Sequence, residues 1–142
     1  MKSTLLVLIQ FASLAGLALA GPPVPQTLGA LGLFGAGLTL GLWAVAAMRL
    51  GNLHIRPDVA ASATLTTRGP YRLIRHPMYA ALLLVGLGWL VDAFSLLRLA
   101  LFLVLLCNLL IKLHYEESLL TAQLEGYTAY RVDTWRLIPW LY

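Results

Sequence analysis

Four long apolar runs, broken by prolines, glycines and basic residues, limit what this 142-residue chain can fold into. They cover residues 4–20, 28–50, 77–91 and 95–114. A bilayer-crossing helix needs roughly 20 apolar residues, or about 17 at the short end. For the third run, either Arg75, His76 and Pro77 sit at the membrane boundary, or the third and fourth runs form a hairpin that does not fully cross; a short or tilted crossing is the preferred reading. Across the chain 60% of residues are hydrophobic and 11% are charged; a soluble domain carries about twice that charge fraction. The expected fold is an all-α integral membrane protein. Four transmembrane helices in one domain (1–142) precede a C-terminal amphipathic interfacial helix within residues 115–142. There Leu119, Leu120 and Leu124 share one side, and Trp135, Trp140 and Tyr142 suit the lipid headgroup region.

The basic residues orient such a bundle. With both termini in the cytoplasm, Lys2, Arg49, Arg56, Arg68, Arg72, Arg75, Lys112, Arg131 and Arg136 all lie inside, and Arg98 alone lies outside. That asymmetry is a strong positive-inside signal. It predicts a multi-pass protein of a bacterial inner membrane, with the loop 51–76 and the segment 115–142 cytoplasmic. The net charge of +4 is accounted for by anionic lipid and calls for no nucleic acid. Lys2, the first apolar run and Ala18-Leu19-Ala20 before Gly21 also match a signal peptide with its cleavage site. A retained first helix is the preferred reading, with Pro22, Pro23 and Pro25 in the outer turn. Gly37 and Gly41 have the small-xxx-small spacing of close helix approach, within the bundle or between chains. Cys107, the lone cysteine, reads as a packing residue.

Two polar clusters interrupt this apolar background. The first, Arg68-Gly-Pro-Tyr-Arg-Leu-Ile-Arg-His-Pro-Met-Tyr79, gathers cations and backbone breakers at the mouth of the third run. Pro77 biases His76 away from helical geometry and pre-sets the first turn of the next helix, which fixes the imidazole relative to the bundle. Tyr71 and Tyr79 offer flat rings with polar tips, suited to an aromatic or cationic ligand. The second cluster runs from Lys112 to Glu117 at the end of the fourth run. Lys112 and Glu116 are four apart and share a helix face. They read either as an ordinary interfacial pair or as a working one: Lys112 clamping a carboxylate, Glu116 accepting an ammonium group or hydroxyls. The first cluster likewise serves topology and lipid contact alone, or a ligand. No HxxxH or CxxC spacing occurs among the three histidines and one cysteine, so no metal is expected, and no GxSxG motif marks a hydrolase.

The RHPMY segment (75–79), followed by Glu116-Glu117-Ser-Leu-Leu120, Tyr127-Thr-Ala-Tyr130 and Ile138-Pro139, resembles the isoprenylcysteine carboxyl methyltransferase family. That family belongs to a wider group with the phospholipid N-methyltransferases. The resemblance implies an S-adenosylmethionine-dependent enzyme acting on a lipophilic or lipidated acceptor at the cytoplasmic face. An isoprenylcysteine-like carboxylate is the first choice of acceptor and a phospholipid ethanolamine amine the alternative. It implies a cofactor pocket of Thr64, Leu65, Tyr71, His76, Pro77, Met78, Tyr79 and Glu116, with His76 and Glu116 in the catalytic roles. Lys112 stands where the carboxyl methyltransferases carry an arginine that meets the substrate. Outside the resemblance stands a second class of function, a small non-enzymatic membrane protein whose basic loop binds lipid or a partner.

Overall fold

A computed structural model of the chain describes residues 2–48 and 65–142. Thr64, Arg49, Arg56 and most of the loop 51–76 lie outside the described residues. Among the described residues five α-helices account for nearly all the regular structure: α1 (Lys2–Leu19), α2 (Leu28–Ala47), α3 (Pro77–Asp92), α4 (Leu96–Gln123) and α5 (Tyr127–Val132). Among the described residues there is no strand, only an isolated parallel bridge between Ile74 and Trp135.

The breaks fall where backbone chemistry requires them. The Gly21-Pro22-Pro23 stretch ends α1, because proline lacks the N–H that a helix interior needs. Pro77 occupies the first turn of α3, where a missing N–H costs nothing. Ser95 caps α4, its Oγ accepting from the Arg98 N–H at 3.1 Å. The N-terminus of α2 has no cap of its own side chain. Asp92, at the end of α3, instead anchors the residues leading into α2, accepting from the N–H groups of Gln26 and Thr27 at 2.7 and 2.8 Å.

α2 and α4 are long and apolar enough to cross a membrane; α1 and α3 are shorter apolar helices. Many large apolar side chains face outward, among them Leu5, Leu8, Phe11, Leu38, Leu42 and Ile111. A surface of that kind marks contact with lipid or with another protein. Inside, Leu17 of α1 meets Leu105 and Leu109 of α4, joined by Leu82, Leu83 and Phe102. α2 and α3 approach closely at Gly37, so the small-xxx-small face is used within the chain.

Three features add to the sequence reading. The helix that holds the fourth apolar run continues to Gln123, carrying Glu116 and Glu117 within it. Both carboxylates find donors, and the Ser-Leu-Leu-Thr-Ala-Gln that follows has nothing to break a helix. The segment beyond is less helical than an amphipathic helix over 115–142 implies, since only the short α5 follows α4. Arg98, the lone cation assigned to the outer side, is fully buried. Its guanidinium donates to the carbonyls of Trp89, Ala93 and Pro22, tying the α1–α2 turn to the α3–α4 turn.

Candidate functional site

The site forms where the N-terminus of α3 meets the C-terminal third of α4. A 3-10 turn (Gly69–Arg72) leads into it, starting from Gly69 at φ +55°, a conformation that L side chains rarely adopt. The Leu73–His76 stretch is then held by the chain's C-terminal segment. The Arg75 N–H donates to the Trp135 carbonyl at 2.7 Å, the His76 N–H to Arg136 at 3.0 Å, and the Trp135 N–H to Leu73 at 3.0 Å. The C-terminal segment is thus a strap across the mouth of the bundle.

His76 is buried at the N-cap of α3, its ring stacked on Tyr79 with centroids 5.3 Å apart and planes within 6°. The Tyr79 hydroxyl donates to Glu116 Oε2 at 2.7 Å. His76 Nδ1 lies 3.9 Å from the same oxygen, and its Nε2 lies 3.5 Å from Glu117 Oε1. Glu116 and Glu117, adjacent in sequence, point about 100° apart around the helix. Glu117 is buried between Arg75 (Nε to Oε1, 2.7 Å) and Arg136 (Nε to Oε2, 3.2 Å). Arg75 also donates to the carbonyls of Arg131 and Thr134. Glu117 therefore fastens the strap, while Glu116 keeps 29% of its side chain accessible.

Lys112 sits one turn before Glu116 but does not pair with it. Its Nζ donates to Gln10 Oε1 of α1 at 2.8 Å and lies 5.2 Å from the centre of the Tyr79 ring. A cation over an aromatic face gains from the ring quadrupole, more so when desolvated. Among the described residues no carboxylate forms an ion pair with Lys112. Gln10 and Glu117 were not singled out as site residues from sequence. For Gln10, a lone amide in an otherwise apolar run was the available signal.

The structure thus brings Tyr79, His76, Glu116 and Lys112 into one connected group. Pro77 is buried at the base of α3 and Met78 is half-buried beside it. Tyr71 is buried, and its carbonyl accepts from the Tyr130 hydroxyl at 2.6 Å. Leu65 is half-buried ahead of the 3-10 turn, and Thr64 is outside the described residues. Three buried polar atoms here have no hydrogen-bond partner: Tyr71 Oη, His76 Nε2 and Tyr127 Oη. Burial and the nearby Glu116 charge push the Tyr71 phenol well above its ordinary value, and burial pushes Tyr130 up to about 12. Both phenols stay protonated at any working pH, and Tyr130 serves as a donor. No group of histidine, cysteine or carboxylate side chains fit to hold a metal occurs among the described residues.

This arrangement can be compared with known proteins. The family model for phospholipid methyltransferases matches residues 25–125, which include His76, Tyr79, Lys112 and Glu116. No curated protein and no solved structure matches the chain. The chain belongs to the phospholipid methyltransferase family, the family of isoprenylcysteine and phospholipid methyltransferases.

Proposed function

We propose that this member of the phospholipid methyltransferase family transfers a methyl group from S-adenosylmethionine to a lipophilic acceptor, at the membrane face where α3 and α4 meet. The observation that carries the reading is the overlap of the family match with the connected group of His76, Tyr79, Glu116 and Lys112. The residues present fit such a donor. Glu116 offers a partly accessible carboxylate to an ammonium group or ribose hydroxyls. Tyr71, His76 and Tyr127 bring buried polar atoms in need of partners, and the aromatic rings suit a sulfonium. Thr64 and Leu65 would extend the pocket on the loop side. All four apolar helices cross the bilayer in this reading, with α3 short and both termini cytoplasmic, as the basic residues favour.

Bound adenosylmethionine supplies an activated methyl carbon, open to in-line displacement. The chain's own residues then have to align and enclose, not to do general acid–base work. Pro77 and the Tyr79 stack fix His76, the Glu116 bond fixes Tyr79, and the strap of residues 133–142 covers the mouth against water. Lys112 distinguishes the acceptors. A buried ammonium held by a neutral amide favours an anionic acceptor, so an isoprenylcysteine-like carboxylate is the first choice. A carboxylate needs no base. The second reading, a phospholipid amine, rests on the accessibility of Glu116, which would take the amine's proton.

His76→Ala and Glu116→Gln should each weaken adenosylmethionine binding by about tenfold, the worth of one charge-assisted hydrogen bond. Calorimetry on detergent-purified protein measures this, with thermal unfolding as the check that the variants stay folded. Unchanged affinity in both variants would refute the assignment. Absence of saturable binding to the folded parent would leave a non-enzymatic lipid-binding role in its place. Incubation with methyl-labelled donor and a membrane extract separates the acceptors, because an ester label is released by mild base and an N-methyl label is not.

A further inference from the structure

The strap lines an open cleft, with Arg75, Arg131, Asp133, Thr134, Trp135 and Arg136 in its wall. Its volume is about 380 Å³, within the span of small-molecule sites, roughly 300–1,000 Å³. Arg75 and Arg136 share the carboxylate of Glu117. Arg131 donates to a neutral partner, the Thr121 hydroxyl, at 3.2 Å. Counting side chains, the three guanidinium groups of the wall are met by Asp133 in the wall and by Glu117 behind it, which leaves one guanidinium in excess. The main-chain oxygen of Tyr142, also in the wall, accepts from the N–H groups of Leu137 and Ile138 at 2.9 and 3.0 Å. The surroundings are apolar and open: Val132 and Trp135 of the wall are 83% and 40% exposed, and Trp140 is 81% exposed.

We propose that this cavity holds the phosphodiester of an anionic glycerophospholipid, whose acyl chains lie along the apolar rim. Arginine's planar fork matches phosphate oxygens, and a desolvated phosphodiester gains most where several forks converge. One negative charge balances the one in excess. A zwitterionic headgroup would bring a further cation into a wall that already has a surplus. Exposed Trp135 and Trp140 suit the headgroup layer in which that phosphate resides. The lipid would anchor the strap through the two arginines that Glu117 also holds, whatever the methyl acceptor is.

The test is retention of phosphatidylglycerol by the full-length chain in a neutral detergent, read by native mass spectrometry. One lipid per chain is expected. Arg131→Gln should weaken it about tenfold, as loss of one charge-assisted contact does. Val132→Asp, at a position too exposed to affect folding, should weaken it as well by placing a carboxylate on the rim. Unchanged retention in both variants overturns the proposal. So does phosphatidylcholine retained as tightly as phosphatidylglycerol, or inorganic phosphate displacing the lipid at equal concentration, which would point to a free-anion site. Adenosylmethionine affinity measured without lipid should not move in Arg131→Gln; a parallel loss there would assign the cavity to the cofactor instead.

Discussion

Glu117→Ala is expected to lower the unfolding free energy by about 3–5 kcal/mol, the cost of removing one partner from a buried ionic network. The carboxylate is 4% exposed and accepts from two guanidinium groups, Arg75 at 2.7 Å and Arg136 at 3.2 Å. Its loss leaves Arg75 beside backbone carbonyls of the strap with no anion to balance it. The first thing to come loose is the strap itself, because Arg75 and Arg136 flank the backbone bonds joining residues 73–76 to Trp135 and Arg136. The neighbouring Glu116→Ala is the control. Glu116 is 29% exposed and bonded to a single neutral hydroxyl, so its removal should cost about 1 kcal/mol. Thermal unfolding in detergent, with limited proteolysis after residue 123, measures both. A Glu117→Ala protein as stable as the parent would overturn the clasp.

That contrast shows where sequence reasoning ran out. The apolar runs foretold the helices, and Pro77 foretold the start of α3, since both follow from local chemistry. The two polar clusters at one end of the bundle were equally legible, because connecting helices back and forth puts the end of the fourth run beside the start of the third. Which glutamate does what was not legible. One step along a helix turns a side chain by about 100°, and only the packing of α3 and the strap decides that Glu116 faces Tyr79 while Glu117 faces the arginines. The i, i+4 spacing of Lys112 and Glu116 likewise permitted a pair that the fold does not make. Lys112 turns to Gln10, 102 residues away in sequence, because α1 packs along α4. The buried clasp of Arg98 was masked by a rule about topology: a lone outer cation satisfies the positive-inside pattern equally well whether it is free or locked onto carbonyls.

The same comparison assigns distinct tasks to the two ends of the bundle. At the end formed by the α1–α2 and α3–α4 turns the polar groups mostly serve structure, although Arg98 Nε has no partner. Asp92 anchors the residues leading into α2, Arg98 ties two turns together, and Trp89 donates to the Pro23 carbonyl at 2.9 Å. At the other end several polar atoms remain without partners, including His76 Nε2 and two tyrosine hydroxyls. Buried polar groups are ordinarily satisfied, since each one left alone costs about 1–3 kcal/mol. Three such groups gathered around His76 suit a ligand that enters at that end of the bundle.

Close packing of α2 on α3 supplies the last large effect. Gly37→Leu is expected to destabilise the protein by about 3 kcal/mol, the upper end of what overpacking ordinarily costs. A Cβ at Gly37 would lie 2.8 Å from the Ala81 carbonyl oxygen, from the Val85 backbone nitrogen and from Val85 Cγ2. Two of those three atoms are backbone, so rotating a side chain cannot relieve the contact and the helices must part. Parting them moves α3 and with it the base of His76 and Tyr79, so cofactor affinity should fall along with stability. Gly32, on the same helix, is the comparison: a Cβ there meets nothing within 4 Å. Gly32→Leu should leave the fold intact, and the better helix propensity of leucine works in its favour. Unfolding of the two variants in graded detergent denaturant, with adenosylmethionine titration alongside, gives the measurement. Equal stability of Gly37→Leu and Gly32→Leu would mean that α2 does not pack on α3 through this face, and the glycine spacing would then have to be explained by contact between chains.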